Sequence, residues 1–173
     1  MSVEVEVFNQ TLWNWIQQYP VDERPKWDDW FLTIAFMVSR RSPCYRNKCG
    51  AIIVKNNDIL AVGYNSSPKG QPNCQDLHNC YRNENNIPSG TKQELCRASG
   101  SHAESNAIAY ASLNGHSTLD STLYVYGHSK ICNICKGIIA NSGIKDIVYL
   151  KQDGTVERIN IKEQWIINSV DQE

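Results

Sequence analysis

The sequence predicts an α/β protein of three layers, α/β/α, with a mixed sheet of about five strands flanked by helices. Three observations predict it. Apolar segments follow the order strand, strand, helix, strand, helix, strand, which packs helices onto a sheet. Clusters of Asn, Ser, Gly and Pro punctuate those segments. The length, 173 residues, suits one core, so the chain reads as a single domain over 1–173, with its core at about 27–150 and an extension at each end.

The elements follow in order. Residues 27–40 place Trp27, Trp30, Phe31, Ile34, Phe36, Met37 and Val38 largely at helical spacing, and Pro25 fits the entrance of this helix. Residues 50–54 are short, apolar and β-branched, Asn56-Asn57-Asp58 supplies turn chemistry, and residues 59–64 return, so a β-hairpin is expected. Residues 65–93 lack a periodic apolar pattern and predict a long ordered loop, of a length that usually carries a function or a tether. A helix is expected over 102–113, capped by Ser101 or Ser99 and closed by Asn114-Gly115. Residues 123–126 read as a strand, 132–141 as a helix ending at Ser142-Gly143, and 146–150 as a strand. Residues 156–161 add a candidate strand, and Trp165, Ile166 and Ile167 are expected to pack.

Composition narrows function. Lysine plus arginine number 17 against 18 acidic residues, for a formal charge of −1. No global basic field is therefore available to wrap a nucleic-acid polymer, although a small anionic substrate suits the chain. The opening Met-Ser-Val-Glu-Val-Glu has neither a basic region nor a long apolar run, which predicts a cytoplasmic protein without a membrane span. Seven cysteines then read as thiols and metal ligands rather than disulfides.

Two motifs carry chemistry. His102-Ala103-Glu104 and Cys132-Asn133-Ile134-Cys135 offer three zinc ligands and one unligated carboxylate. Catalytic zinc takes three protein ligands and leaves its fourth position to water. The order His-x-Glu, then Pro-Cys-x-x-Cys, is the signature of zinc nucleobase deaminases, with Ile131 here standing where the proline is expected. Both motifs fall at predicted helix starts, whose positive dipole ends favour thiolate over thiol. A CxxC pair alone suits a structural or redox site equally well. The His-x-Glu partner on a separate helix favours hydrolytic deamination, with Glu104 as the proton carrier.

The remaining cysteines divide. Cys44, Cys74, Cys80 and Cys96 lie on the long loop and its flanks; four thiolates would close a structural zinc shell, with His78 as a substitute ligand, or they are ordinary thiols. Cys49 precedes an apolar strand and reads as core. His116 reads as solvent-facing. His128 lies just before the metal cysteines, where it offers a structural or substrate-gating role, although loop histidines commonly have neither.

With these residues laid out, the chain resembles the deoxycytidylate (dCMP) deaminases of the cytidine deaminase-like superfamily, in their bacterial and phage branch, from about residue 30 to 150. The matching blocks are Arg40 to Cys44, Cys49 to Val54, Gly63 to Gly70, Cys96-Arg97 and His102 to Ile108, with residues 87–97 especially similar. The resemblance implies the cytidine deaminase-like fold and conversion of dCMP to dUMP in pyrimidine deoxynucleotide metabolism, in the host cytoplasm if the gene is phage-borne. It also implies a second, structural zinc held by cysteines of the loop region. Asn65 is implied as a contact to the sugar and the Ala103 backbone as a guide for the base, while Arg41 and Arg46 are candidates for the 5′-phosphate because guanidinium forks suit phosphate.

Many relatives are hexamers controlled by dCTP with Mg²⁺ as activator and by dTTP as inhibitor. Gly63, Tyr64, Asn65, Pro68 and Gly70 resemble the loop tied to that effector site, and Trp13, Trp15 and Tyr19 suit an interface. Two departures stand out. Ser66 replaces the glycine of a Tyr-Asn-Gly pattern, and residues 126–131 are longer than in most relatives and end without proline. Deoxycytidine triphosphate is a second substrate compatible with the sequence. The competing readings are a polynucleotide deaminase, which the charge balance disfavours, and a non-catalytic, zinc-stabilised nucleotide-binding module.

Overall fold

A computed structural model describes residues 22–128, 130–151 and 154–164. The expected interface residues Trp13, Trp15 and Tyr19, and the expected packing residues Trp165, Ile166 and Ile167, lie outside the described residues. Helix α1 (Trp27–Ser39) comes first. The hairpin β1 (Gly50–Lys55) and β2 (Asp58–Tyr64) follows, then α2 (Tyr81–Glu84) and α3 (Ala103–Leu113). Strand β3 (Thr122–Tyr126), helix α4 (Asn133–Asn141), strands β4 (Asp146–Leu150) and β5 (Val156–Asn160), and α5 (Ile161–Gln164) complete the order.

The five strands form one mixed sheet in the order β2-β1-β3-β4-β5. Only β3 and β4 run parallel; β1 pairs antiparallel with β2 and β3, and β5 antiparallel with β4. Alternation along the strands sorts side chains onto two faces. Ala51, Ile53, Leu123, Val125, Ile147 and Tyr149 face α3 and α4, in a core that includes Ala103, Ala107, Cys135 and Ile139. Ile52, Val54, Tyr124, Tyr126 and Val148 face α1 and meet Phe31, Leu32, Ala35 and Phe36. Burying each large aliphatic or Phe side chain stabilises by roughly 1.5–3 kcal/mol, which is why both faces require a helical cover.

Close packing places α3. At Gly63 an added Cβ would collide with the Ala103 carbonyl oxygen and the Ala107 nitrogen. A side chain there would lift the first turn of α3 off β2. On the opposite face, Arg158 of β5 bonds Asp28 of α1 at 2.6 Å and Asp146 of β4 at 3.0 Å, while the Tyr124 hydroxyl donates to Asp28 at 2.8 Å.

The differences from sequence expectation are local. The hairpin turn is the two-residue Asn56-Asn57, with φ of 53° and 65°, as a type I′ turn requires, so Asp58 belongs to β2 instead of the turn. Neither Ser99 nor Ser101 caps α3, since the N-cap is His102 and no side chain caps it. The Ser101 carbonyl instead accepts from Ser66 N and Asn106 Nδ2, each at 3.3 Å. Strand β5 ends at Asn160, and Ile161 turns into α5 with its side chain in the core. Within the long loop, α2 is a single helical turn; side chains bonding backbone supply order there, Arg82 donating to the Pro88 and Thr91 carbonyls at 3.1 and 2.6 Å. Among the described residues no helix is long and apolar enough to cross a membrane.

Candidate active site

Two helix starts face each other. His102 is the N-cap residue of α3 and Cys132 that of α4, both with extended backbone. The parallel pair β3 and β4, joined through α4, sets this geometry, because the loop after β3 delivers Cys132 to the same sheet face that α3 covers through β2. His102 Nδ1 lies 3.4 Å from both Cys132 Sγ and Cys135 Sγ. Tetrahedral zinc with bonds of about 2.05 Å to nitrogen and about 2.3 Å to sulfur sets those ligand atoms about 3.5 Å apart, so the spacing fits the ion. Among the described residues this trio is the set of three metal-ligating groups whose atoms all lie within 4.8 Å of one another. An imidazole with two thiols is a donor set that suits zinc.

The three side chains shift one another's protonation. The Cys132 thiol is pulled down to about 4, first by its hydrogen bond from Cys135, then by His102 and the Cys135 backbone N–H against the cost of burial. Cys135 is pushed up, because its hydrogen bond to Cys132 and its burial both favour the thiol. The His102 imidazole is raised, chiefly by its hydrogen bond with Cys132.

Glu104 sits on the first turn of α3, 1% exposed. It is not one of the clustered ligands. Burial by itself would raise its carboxyl, but the neighbouring His128 imidazole, with a contribution from His102, holds it below the usual carboxylate range. His128 Nε2 stands 3.4 Å from Glu104 Oε1. Burial lowers the His128 imidazole, yet the neighbouring Cys49 thiol and Glu104 carboxylate outweigh this and raise it to about 10. The arrangement therefore contains a trio that could hold a metal ion and a desolvated carboxylate outside it. Such a pair can activate water and move its proton.

The other expected residues are more scattered. Ala103 is fully buried against Gly63. Asn65 follows β2 and is committed to backbone: its Oδ1 accepts from Cys49 N at 2.8 Å and its Nδ2 donates to the Asn47 carbonyl at 2.9 Å. Arg46 donates to the Ile87 carbonyl at 2.9 Å, which ties the loop to the region before β1, whereas Arg41 is exposed. Of the expected effector residues, Gly63 is buried under α3, Tyr64 is half-buried, and Pro68 and Gly70 are exposed.

Cys44, Cys80 and Cys96 all bear on Cys74, whose thiol burial and these neighbours raise to about 11 while Arg97 opposes them. The long loop thus gathers the four cysteines into one neighbourhood, though not into a set as tight as the His102 trio. His78 is exposed and its charge acts on Asp76. Cys49 is buried, as expected, and also borders His128. Sequence reasoning left His128 without a firm role. The available signal was its place just before Cys132, but its distance from Glu104 is a property of the folded loop. Ile131, in the proline's place, is buried in the core beside α3 and α4 and so anchors the segment by apolar contact.

A family model described as MafB19-like deaminase matches residues 25–169. The deoxycytidylate deaminase of Mycobacterium phage D29 is 36% identical over 132 residues, covering 75% of this chain and 98% of the phage protein. That of Enterobacteria phage T4 is 37% identical over 146 residues, covering 68% of this chain and 74% of the phage protein. Among solved structures, the dCMP deaminase from cyanophage S-TIM5 in complex with dCMP and dUMP is similar at a TM-score of 0.56 and 29% identity, over 73% of this chain and 82% of that one.

Proposed function

The chain belongs to the MafB19-like deaminase family and is a relative of the deoxycytidylate deaminases, and from that premise we propose that it hydrolyses dCMP to dUMP and ammonia. The observation that carries the reading is Glu104: a carboxylate 1% exposed and outside the His102, Cys132 and Cys135 cluster beside it.

His102, Cys132 and Cys135 would hold zinc, which when bound lowers the pKa of water from about 16 towards about 7. Glu104 takes a proton from the attacking water as the new C–O bond forms at the ring carbon bearing the amine. It passes that proton to the adjacent ring nitrogen. A second proton moves through the same carboxylate to the amine as the C–N bond breaks, leaving a carbonyl on the ring and releasing ammonia. Burial supports this role, since a carboxylate removed from bulk water keeps its proton traffic within the site.

We extend the proposal to substrate contacts: Asn65 with the sugar, the Ala103 backbone with the base, and Arg41 or Arg46 with the 5′-phosphate. We also propose that dCTP is a second substrate or, with Mg²⁺, an activator, that dTTP inhibits, and that a second zinc is held by Cys44, Cys74, Cys80 and Cys96. Phage relatives support action in a host cytoplasm.

Ammonia release from dCMP, dCTP, cytidine and a cytosine-containing oligonucleotide tests the substrate. The expected order puts dCMP first; equal or greater release from the oligonucleotide would overturn it. Glu104→Gln tests the chemistry. It keeps the shape and is expected to retain zinc while losing about 100- to 10,000-fold in rate. A variant retaining more than about a tenth of the rate contradicts the role given to Glu104.

A further inference from the structure

A buried carboxylate that must exchange protons needs its plane held, because free rotation would spread its two oxygens over unproductive directions. Glu104 is almost fully buried, yet neither of its side-chain oxygens has a well-formed hydrogen bond among the described residues. What it has is His128, whose Nε2 lies 3.4 Å from Oε1. That is an ion-pair distance, at the long end for a hydrogen bond, and such contacts commonly tighten when substrate binds.

The backbone explains how the ring comes to be there. Gly127 has φ of +108°, and an added Cβ would collide with the Lys48 carbonyl oxygen and press on Cys49 Cα. The chain leaving β3 therefore runs flush against the residues entering β1, a path open to glycine but not to a side chain. Next, His128 has both the Cys49 thiol and Glu104 as neighbours. Ile131 then pins the far end of the segment in the core.

We propose that His128 is a positioning residue, whose Nε2–H holds Glu104 Oε1 and thereby leaves Oε2 to carry the proton. The segment between β3 and Cys132 then has a function. It brings a side chain to the proton carrier without adding to the His102, Cys132 and Cys135 cluster. The proposal rests on the deaminase reading of the site.

The test uses the full chain loaded with zinc. His128→Phe fills the space without a donor, and His128→Gln returns an N–H. Expected are a fall in kcat of at least about tenfold for the Phe variant with KM within about threefold and zinc content retained, and recovery to within about threefold of wild-type kcat for the Gln variant. A Phe variant with kcat within about twofold of wild type, or with its whole loss in KM, overturns the proposal. A second measurement needs no turnover: the His128 ring Nε2 resonance in nitrogen-15 spectra of wild type and Glu104→Gln. A shift is expected, and an unmoved resonance overturns the contact. Should the Phe variant not fold, this comparison decides alone. Wild type that releases no ammonia rejects the deaminase reading, whereas the resonance still judges the contact.

Discussion

Asn65 Oδ1 accepts the backbone N–H of Cys49 at 2.8 Å, so one side chain just past β2 holds the entrance to β1. Its Nδ2 completes a clamp on the Asn47 carbonyl at 2.9 Å. Removing the amide leaves two backbone groups to find other partners, each hydrogen bond being worth about 0.5–1.5 kcal/mol. Asn65→Ala is expected to lower stability by about 1–3 kcal/mol, read as a lower urea midpoint at unchanged m-value. A midpoint equal to that of wild type would show that water replaces the clamp without cost.

Gly63→Ala should act through packing. The new Cβ meets backbone atoms of Ala103 and Ala107, which cannot rotate away. Overpacking of this kind costs about 1–3 kcal/mol. Because the displaced turn also carries His102 and Glu104, zinc affinity and kcat are expected to fall together with the thermal midpoint. Unchanged zinc affinity in a destabilised variant would show that the first turn of α3 shifts as a rigid unit.

Cys80→Ser examines the loop cysteines. Cys80 is buried and acts on Cys74 along with Cys44 and Cys96. If the four hold zinc, wild type carries two ions per subunit, and the variant loses one and melts at a lower temperature with a smaller change in kcat, since structural zinc contributes folding free energy. One ion per carefully loaded wild-type subunit, with these thiols open to titration, rejects the second site.

Regulation is tested by mass measurement in solution and by dCMP saturation curves with dCTP·Mg²⁺ or dTTP. A hexamer whose half-saturation moves by about 5- to 150-fold corresponds to a coupling of about 1–3 kcal/mol. Ser66, beside the Tyr64-Asn65 pair, makes this a direct test of whether that loop works without the usual glycine. A monomer with hyperbolic, unmoved curves rejects effector control.

The sequence by itself determined the elements and singled out the residues that cluster as His102, Cys132 and Cys135. Period-2 and helical apolar patterns are local properties, so α1, the hairpin, α3, α4 and β4 were legible within a residue or two. His102, Glu104, Cys132 and Cys135 were legible because zinc chemistry limits which residue types serve and how closely the two cysteines must be spaced. Tertiary structure decided the rest. Asp58 became strand because the two asparagines alone closed the turn, and His102 took the cap position that the serines were expected to fill. That Asn65 clamps Cys49, that Gly63 lies beneath Ala103, and that His128 reaches Glu104 all depend on strands or loops distant in sequence being brought within a few ångströms. No local pattern encodes such distances; they arise when the sheet buries both faces and the intervening loops must close over it.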